Sequence, residues 1–236
     1  MFEHALALDP QSGVAQTLLA SALLGRVVGG MSDSASSDLA RAEGLVDQTL
    51  AASPRYSDAH VIKGHVLRAQ NRWQEAMPEY EAALMLNRNL VEALSGLGFC
   101  KLYAGSIEEV IALEEQAIRL SPRDPNTGFW YFLIGIVHLL QSRTDEAILW
   151  FEKARSAIPA VAVFRNGLTS AYALRGETER AVAELAEARR LSSDDRFSSI
   201  ARQKTFAGGW WGVPKIRALY EATYFAGLRK AGVPEE

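Results

Sequence analysis

The chain has 236 residues, of which 48% are hydrophobic and 22% charged, close to the average for folded domains. Its formal net charge of −3 excludes the broadly basic surface that binds nucleic acid through phosphates, so no nucleic-acid partner is predicted. No stretch of about 18 apolar residues occurs, so no membrane-spanning helix is predicted.

The lone cysteine, Cys100, excludes an intramolecular disulfide and fits a reducing compartment. The first residues lack the basic segment of a signal peptide. We therefore predict a cytoplasmic protein. Its 36 alanines and only 8 prolines favour helix over strand.

Helical segments follow one another in pairs along the chain. Residues 2–10 fit the second half of a pair whose first half is not in the sequence. Because a half pair cannot bury its apolar face alone, we expect that the chain was cut from a longer one. Five complete pairs follow, with these predicted bounds: 12–54, 56–88, 90–122, 125–159 and 161–193.

Small residues set the register of these pairs. One small residue recurs at spacings of 34, 34, 37 and 34, as Ala42, Ala76, Val110, Ala147 and Ala181. A second column lies seven residues later, as Thr49, Ala83, Ala117, Ala154 and Ala188. Antiparallel helices that pack closely need a small side chain where their backbones approach. In three pairs a proline follows five residues later, where it would end the second helix: Pro54, Pro122 and Pro159.

Turn signals separate the two halves of most pairs. The first pair carries about ten extra residues, including Gly29-Gly30 and a serine-rich run at 32–37, which predict a longer first helix and a polar loop. Capping boxes are predicted at 71–74 and 106–109. The other pairs turn at Gln70-Asn71, Gly105-Ser106, Ser142-Arg143 and Gly176-Glu177.

After residue 193 the register stops. Residues 196–206 predict one more amphipathic helix, and a break containing Gly208-Gly209-Trp210-Trp211 precedes a final helix from about Pro214 to Lys230. We interpret residues 194–236 as a pair of capping helices. Aromatic packing is favoured for the two tryptophans over anchoring at a membrane interface.

These columns resemble the tetratricopeptide repeat, a 34-residue helix–turn–helix unit. The closest local matches are Tyr131 with Ile134-Gly135, Ala147 with Phe151 and Pro159, and Ala76 with Tyr80 and Ala83. The resemblance implies an all-α fold, a right-handed superhelical solenoid over residues 1–193. It also implies a non-catalytic scaffold for protein–protein interaction.

A narrower resemblance is to the C-terminal repeat region of bacterial class III adenylate or guanylate cyclases. It rests on residues 38–43, 101–109 and 219–236. It implies a regulatory or localising role in a larger signalling protein. No part of this chain matches a cyclase catalytic domain, so no catalytic residue is assigned.

No constellation of residues indicates catalysis, a metal or a cofactor. Phosphate-binding glycine motifs are absent. His60 and His65 are five residues apart, whereas ligands on one helix are usually spaced three or four apart. Cys100 is interpreted as a packed small hydrophobe, and the pair Glu114-Glu115 as part of an exposed helix. An enzyme stays an alternative that would require convergent titratable groups in a pocket.

The first helix of each pair should line an inner, concave face. Helical periodicity places nine candidate groove residues there: His65, Arg68, Phe99, Leu102, Phe129, Phe132, Ile136, Leu139 and Asn166. An apolar centre with polar ends suits an amphipathic helix or extended segment of a protein or peptide, which the parent chain itself could supply. The groove offers no lysine, which disfavours clamping of an acidic C-terminus.

Three alternatives stay open at this point. In the first, the phenylalanines are core residues that face the neighbouring pair, since an aromatic stripe at helical spacing is common in cores. In the second, the C-terminal helices fill the groove. In the third, the chain self-associates as a homodimer through its aromatic tail or its N-terminal edge.

Overall fold

A computed structural model describes residues 2–205 and 212–236 of the chain. Within those ranges every regular element is a helix, and the predicted all-α tetratricopeptide fold class is confirmed. The predicted break with its two tryptophans lies outside the described residues.

Ten helices form the five pairs, two within each predicted pair. In chain order they are α2 (Gly13–Val28), α3 (Ala35–Ala52), α4 (Ser57–Ala69), α5 (Trp73–Leu86), α6 (Val91–Ala104), α7 (Val110–Leu120), α8 (Thr127–Leu140), α9 (Thr144–Ala157), α10 (Ala162–Arg175) and α11 (Thr178–Leu191). A short 3-10 turn, Ile107–Glu109, leads into α7.

Shorter helices stand at both ends of the chain. The half pair predicted at the start is α1 (Phe2–Leu8). After the pairs come α12 (Ile200–Thr205) and then α13 (Pro214–Tyr220), which runs through a π-helical turn (Glu221–Phe225) into α14 (Ala226–Lys230). The chain divides into two compact units, Met1–Cys100 and Lys101–Glu236, with the division inside α6.

The N-terminal unit has its core between α2, α3 and α4. Leu19, Leu23, Val46 and Val66 are buried together there, and Phe2 of α1 packs against them. Farther along, the fully buried Tyr80 ring lies against the backbones of two first helices, at Gly64 and Gly96. A Cβ atom at either glycine would collide with the ring, so these positions exclude larger residues.

The C-terminal unit repeats this arrangement with Phe151. A Cβ at Gly135 would lie 2.5 Å from the Phe151 ring, and one at Gly167 would lie 3.3 Å from it. Both small-residue columns are buried along the chain, with at most 1% of any member exposed. The columns predict that paired helices approach closely, and the helices of both units pack in this way.

In the last four pairs, the short turn between the two helices uses one left-handed residue. These residues are Asn71, Gly105, Ser142 and Gly176, with φ of 61°, 99°, 60° and 89°. In each turn the next residue donates its N–H to the carbonyl five positions earlier, at 2.9 Å. This bond closes the helix end and reverses the chain, so the four predicted turns are confirmed.

The two predicted capping boxes are wrong. The residues that precede α5 and the 3-10 turn, Arg72 and Ser106, make no side-chain cap bond. Asn71 is used in the left-handed turn, and Glu109 pairs with Lys101 at 2.8 Å. The turn geometry therefore takes precedence over capping at these helix starts.

Two further expectations are corrected. Glu114 is not on an exposed face, since its side chain is fully buried. It occupies the same place in its pair as Tyr80 and Phe151 do in theirs. The helix predicted over 196–206 begins only at Ile200, because Asp194 accepts the Arg196 backbone N–H at 3.0 Å in a preceding turn.

Candidate peptide-binding groove

The predicted groove residues fall on two surfaces, one in each compact unit. The N-terminal inner face consists of residues on α4 and α6: Asp58, His65, Arg68, Glu92, Ser95 and Phe99. The C-terminal inner face consists of residues on α8 and α10: Phe129, Phe132, Ile136, Leu139, Asn166 and Ser170. The remaining predicted residue, Leu102, is fully buried near the end of α6.

Arg68 is the cation of the N-terminal inner face. Its guanidinium lies 4.8 Å from the centre of the Phe99 ring, within the range of a cation–π interaction. Among residues 2–205 and 212–236, no carboxylate lies within ion-pairing distance of Arg68. Its side chain is only partly buried. The ring thus orients a positive charge that has no carboxylate to neutralise it.

His65 lies one turn before Arg68 on α4 and stays neutral. Its Nδ1 atom is 2.7 Å from the Tyr80 hydroxyl, and the two rings meet edge to face. Burial, with a smaller effect from the Arg68 charge, lowers the pKa of His65 to about 3. His65 is therefore a packed, uncharged residue near neutral pH, and it adds no positive charge to the face.

Acidic side chains mark the opposite end of the same helices. Asp58 lies in the first turn of α4, and Glu92 lies in the first turn of α6. Neither is buried, and both favour the positive end of the helix dipole. The N-terminal inner face therefore runs from an acidic end to the Arg68 guanidinium.

The C-terminal inner face is filled by the chain itself. Asn166 of α10 is fully buried, and its side-chain amide donates to the Tyr224 hydroxyl and to the Gln203 side chain, both at 2.7 Å. One turn later, Ser170 donates its hydroxyl to the Tyr224 carbonyl at 2.7 Å. Helix α12 and the π-helical turn therefore supply the hydrogen-bond partners of α10.

Gly227 lets α14 approach α10 closely. A Cβ at this position would run into the backbone of Ser170, which cannot move aside as a flexible side chain can. The π-helical turn just before it brings the carbonyl of Tyr224 to Ser170. The Tyr224 hydroxyl is buried, and burial raises the pKa of this tyrosine. This contact is packed as tightly as a protein core.

The aromatic residues of α8 are divided between core and surface. Phe132 packs against Phe151 and Phe164 with ring centres 5.3 and 5.2 Å apart. Ile136 and Leu139 are 2% and 0% exposed. Phe129 is 44% exposed, with one edge against Phe164. Of the α8 residues predicted to line a groove, only Phe129 has substantial access to solvent.

Tyr224, Gln203 and Gly227 contact the inner face, although they were not among the residues predicted there. The signal available was Gly227, a small residue within an aromatic helix, because such a position favours close helix packing. The aromatic tail itself is buried, since Tyr220, Tyr224 and Phe225 are each at most 2% exposed. The expectation that this tail is exposed is therefore wrong, whereas dimerisation stays a prediction.

The titratable side chains near the N-terminal inner face are held by packing and hydrogen bonds within the chain. Cys100 is buried, and burial raises the pKa of its thiol to about 12, so the reactive thiolate is disfavoured. His60 lies 2.6 Å from Glu79 and 3.0 Å from the Pro54 carbonyl. In the part of the chain that the structure describes, no cluster of three metal-ligating residues is found.

No helix among the described residues has the length and apolar content needed to cross a membrane. No curated protein sequence matches the chain. Residues 29–90 match the family model of the tetratricopeptide repeat. With the helix pairs described above, this match defines the class: the chain has the fold of a tetratricopeptide-repeat protein, a fold that typically serves as a non-catalytic scaffold for protein–protein interaction.

Three solved structures illustrate the likeness. PilF of Pseudomonas aeruginosa is 15% identical with a TM-score of 0.63, over 92% of this chain and 89% of PilF. A repeat protein of the thermophile Thermus thermophilus is 18% identical with a TM-score of 0.59, over 75% and 93%. YrrB, a repeat protein with an unusual peptide-binding site, is 19% identical with a TM-score of 0.56, over 83% and 94%. At these identities the likeness concerns the fold alone.

Proposed function

We propose that the chain is a non-catalytic scaffold that binds a peptide segment of a partner protein on its N-terminal inner face. The observation that carries this proposal is the Arg68 guanidinium, which is oriented by Phe99 and has no carboxylate within reach among the described residues. The chain's own helices cover the equivalent surface of α10. No described carboxylate forms an ion pair with Arg68, so this residue is the anchor that we propose for a partner.

The segment that covers α10 indicates what kind of segment could bind beside α4. On α10 the occupant is helical and makes one side-chain and one backbone hydrogen bond through Tyr224. On α4 the charged side chain available to a partner is Arg68, which favours a carboxylate of the bound segment. We infer an amphipathic helix or extended segment that places one acidic group at Arg68. The peptide-binding site of YrrB, a protein of this fold, supports the general mode.

A random-peptide display library, panned on the immobilised full chain, would supply the probe. We expect the enriched peptides to share an acidic residue beside apolar ones. Replacing Arg68 by alanine should weaken binding of such a peptide about tenfold, the loss expected for one partly exposed charged contact. Titration calorimetry with the synthetic peptide measures this change.

The matched control is Arg88→Ala, which removes an exposed arginine of the same unit that lies between α5 and α6. This variant should bind the peptide as the wild type does. Equal losses in both variants would indicate non-specific attraction to positive charge. Unchanged binding in the Arg68 variant would refute the proposal.

The role of this chain within a larger protein is predicted from the sequence alone. The resemblance to cyclase repeat tails supports a regulatory or localising role in a cytoplasmic bacterial signalling protein. If a parent protein carries a cyclase domain, deleting the repeat region should change its cyclase rate or its location in the cell. Identical rates and location with and without the repeats would refute this role.

A further inference from the structure

His60 of α4 is held at both of its ring nitrogens. Its Nδ1 atom lies 2.6 Å from the Glu79 carboxylate on α5, and its Nε2 atom lies 3.0 Å from the carbonyl of Pro54 in the turn that follows α3. The side chain is largely buried, with 15% of its surface exposed. The two contacts therefore join α4 both to the second helix of its pair and to the turn that precedes it.

Both partners of the His60 ring accept hydrogen bonds and have no hydrogen to donate. A backbone carbonyl is an acceptor only, and so is an ionised carboxylate. A neutral imidazole carries one N–H group, whereas the imidazolium ion carries two. The two contacts can exist together only when each ring nitrogen bears a hydrogen. The observed geometry therefore corresponds to the protonated ring.

The charges around His60 balance only when the ring is protonated. The second Glu79 oxygen lies 3.0 Å from the Lys63 ammonium, which in turn lies 3.0 Å from Asp47 of α3. These three side chains carry two negative charges and one positive charge, so a protonated His60 makes the cluster neutral. Asp58, in the first turn of α4, adds a further exposed negative charge nearby in the chain. Among residues 2–205 and 212–236, Glu79 is the only charged side chain that pairs with the ring.

In the later pairs the same two places are held by contacts that do not change near neutral pH. The residues, nineteen positions apart as His60 and Glu79 are, are Leu94 and Leu113 in the third pair, Tyr131 and Trp150 in the fourth, and Arg165 and Glu184 in the fifth. The rings of the fourth pair have centres 5.7 Å apart, and the arginine of the fifth lies 3.0 Å from its glutamate. Arginine keeps its charge throughout the physiological range. His60 thus places a group that titrates near neutral pH where the later pairs have none.

We propose that His60 is a proton-dependent brace of the second helix pair. With both nitrogens protonated, the ring holds Glu79 and the Pro54 turn together. When one proton leaves, a single N–H group remains, so the ring keeps one contact and releases the other. Histidine is the side chain whose charge ordinarily changes between about pH 5 and pH 8, so the brace acts in that range. Because the folded chain favours the protonated ring, this stabilisation is present at low pH and is lost as the pH rises.

Nitrogen-15 NMR of the histidine rings in the full chain tests the protonation directly, with His60→Gln used to identify the signals. We expect both His60 ring nitrogens to bear a hydrogen at about pH 5, and one of them to lose it before about pH 8. Glu79→Gln removes the facing carboxylate and should shift this loss to lower pH. Glu81→Gln, the same change at an exposed site of the same helix, should leave it in place. A ring with one N–H group at every pH in this range, or the same titration in both glutamine variants, would overturn the proposal.

Urea unfolding at two pH values tests the consequence for the fold. Glutamine, like neutral histidine, can donate to one partner at this position, so His60→Gln mimics the released brace. It should raise the unfolding equilibrium constant about fivefold more at about pH 5 than at about pH 8. His4→Gln removes an exposed histidine and should cost little at either pH. An equal cost of His60→Gln at both pH values would overturn the proposal. These outcomes do not involve Arg68, so the brace and peptide binding can fail separately.

Discussion

The inner faces of the two compact units have the same origin in the repeat but different surroundings. On α10, Asn166 and Ser170 are buried beneath the chain's own C-terminal helices. On α4, Arg68 is partly exposed and has no described carboxylate partner. A repeat surface thus becomes core when the chain supplies a helix to cover it. Changes on the covered face should then alter stability, and changes at Arg68 should alter binding.

Phe132→Asp should have the largest effect and tests whether the α8 surface is core. The ring packs between Phe151 and Phe164, so its loss together with a buried charge should cost about 3–5 kcal/mol of unfolding free energy. Phe129→Asp, at a mostly surface position of the same helix, should cost much less. Urea unfolding followed by circular dichroism measures both. Equal small losses would show that Phe132 lines an open groove.

Gly227→Ala should have the next largest effect and tests the covering helices. The added Cβ would strike the backbone of Ser170, and such overpacking costs about 1–3 kcal/mol. The neighbouring exposed Ala222, changed to serine, provides a control that should stay near wild type. Urea unfolding again gives the number. A Gly227→Ala variant as stable as the wild type would mean that α14 does not pack on α10 as described.

Much of this arrangement follows from sequence, and the part that does not has a physical reason. The columns headed by Ala42 and Thr49 fix the helix pairs, because close backbone approach tolerates only small residues. The left-handed turns at Asn71 and Ser142 follow from the same register. Whether a concave face is open depends on where a distant helix packs, and no local pattern around Asn166 encodes its bond to Tyr224. The burial of Glu114, by contrast, follows from the repeat register alone, because Glu114 occupies the position of Tyr80 and Phe151.

Acid titration tests whether His65 is buried and neutral in the folded chain, with an effect of similar or smaller size. Folding lowers the pKa of His65 from an ordinary value of about 6.5 to about 3. The unfolded chain therefore binds a proton between these values that the folded chain does not, and stability falls as pH drops below about 6.5. Between about pH 7 and pH 5 the loss should reach about 2 kcal/mol.

The comparison variant for this titration is His65→Gln, which cannot gain the proton. Its unfolding free energy should fall less than that of the wild type over the same pH range, and the difference isolates His65 from other titrating groups. Parallel curves for the two proteins would show that His65 is solvated in the folded chain.

Arg68→Ala should have the smallest effect on stability. An exposed or partly exposed cation–π contact contributes about 0.5–1 kcal/mol, so the melting curve should hardly move. A large loss of stability would place Arg68 among the structural residues and remove the anchor of the proposed groove.

Hydrogen exchange with and without a selected peptide tests most directly whether the N-terminal inner face is the surface that binds. We expect slower exchange of backbone amides in α4 and α6 when the peptide is bound, with α8 and α10 unchanged. Slower exchange confined to α8 and α10, together with faster exchange in the C-terminal helices, would show that the partner displaces the chain's own helix and would contradict the account.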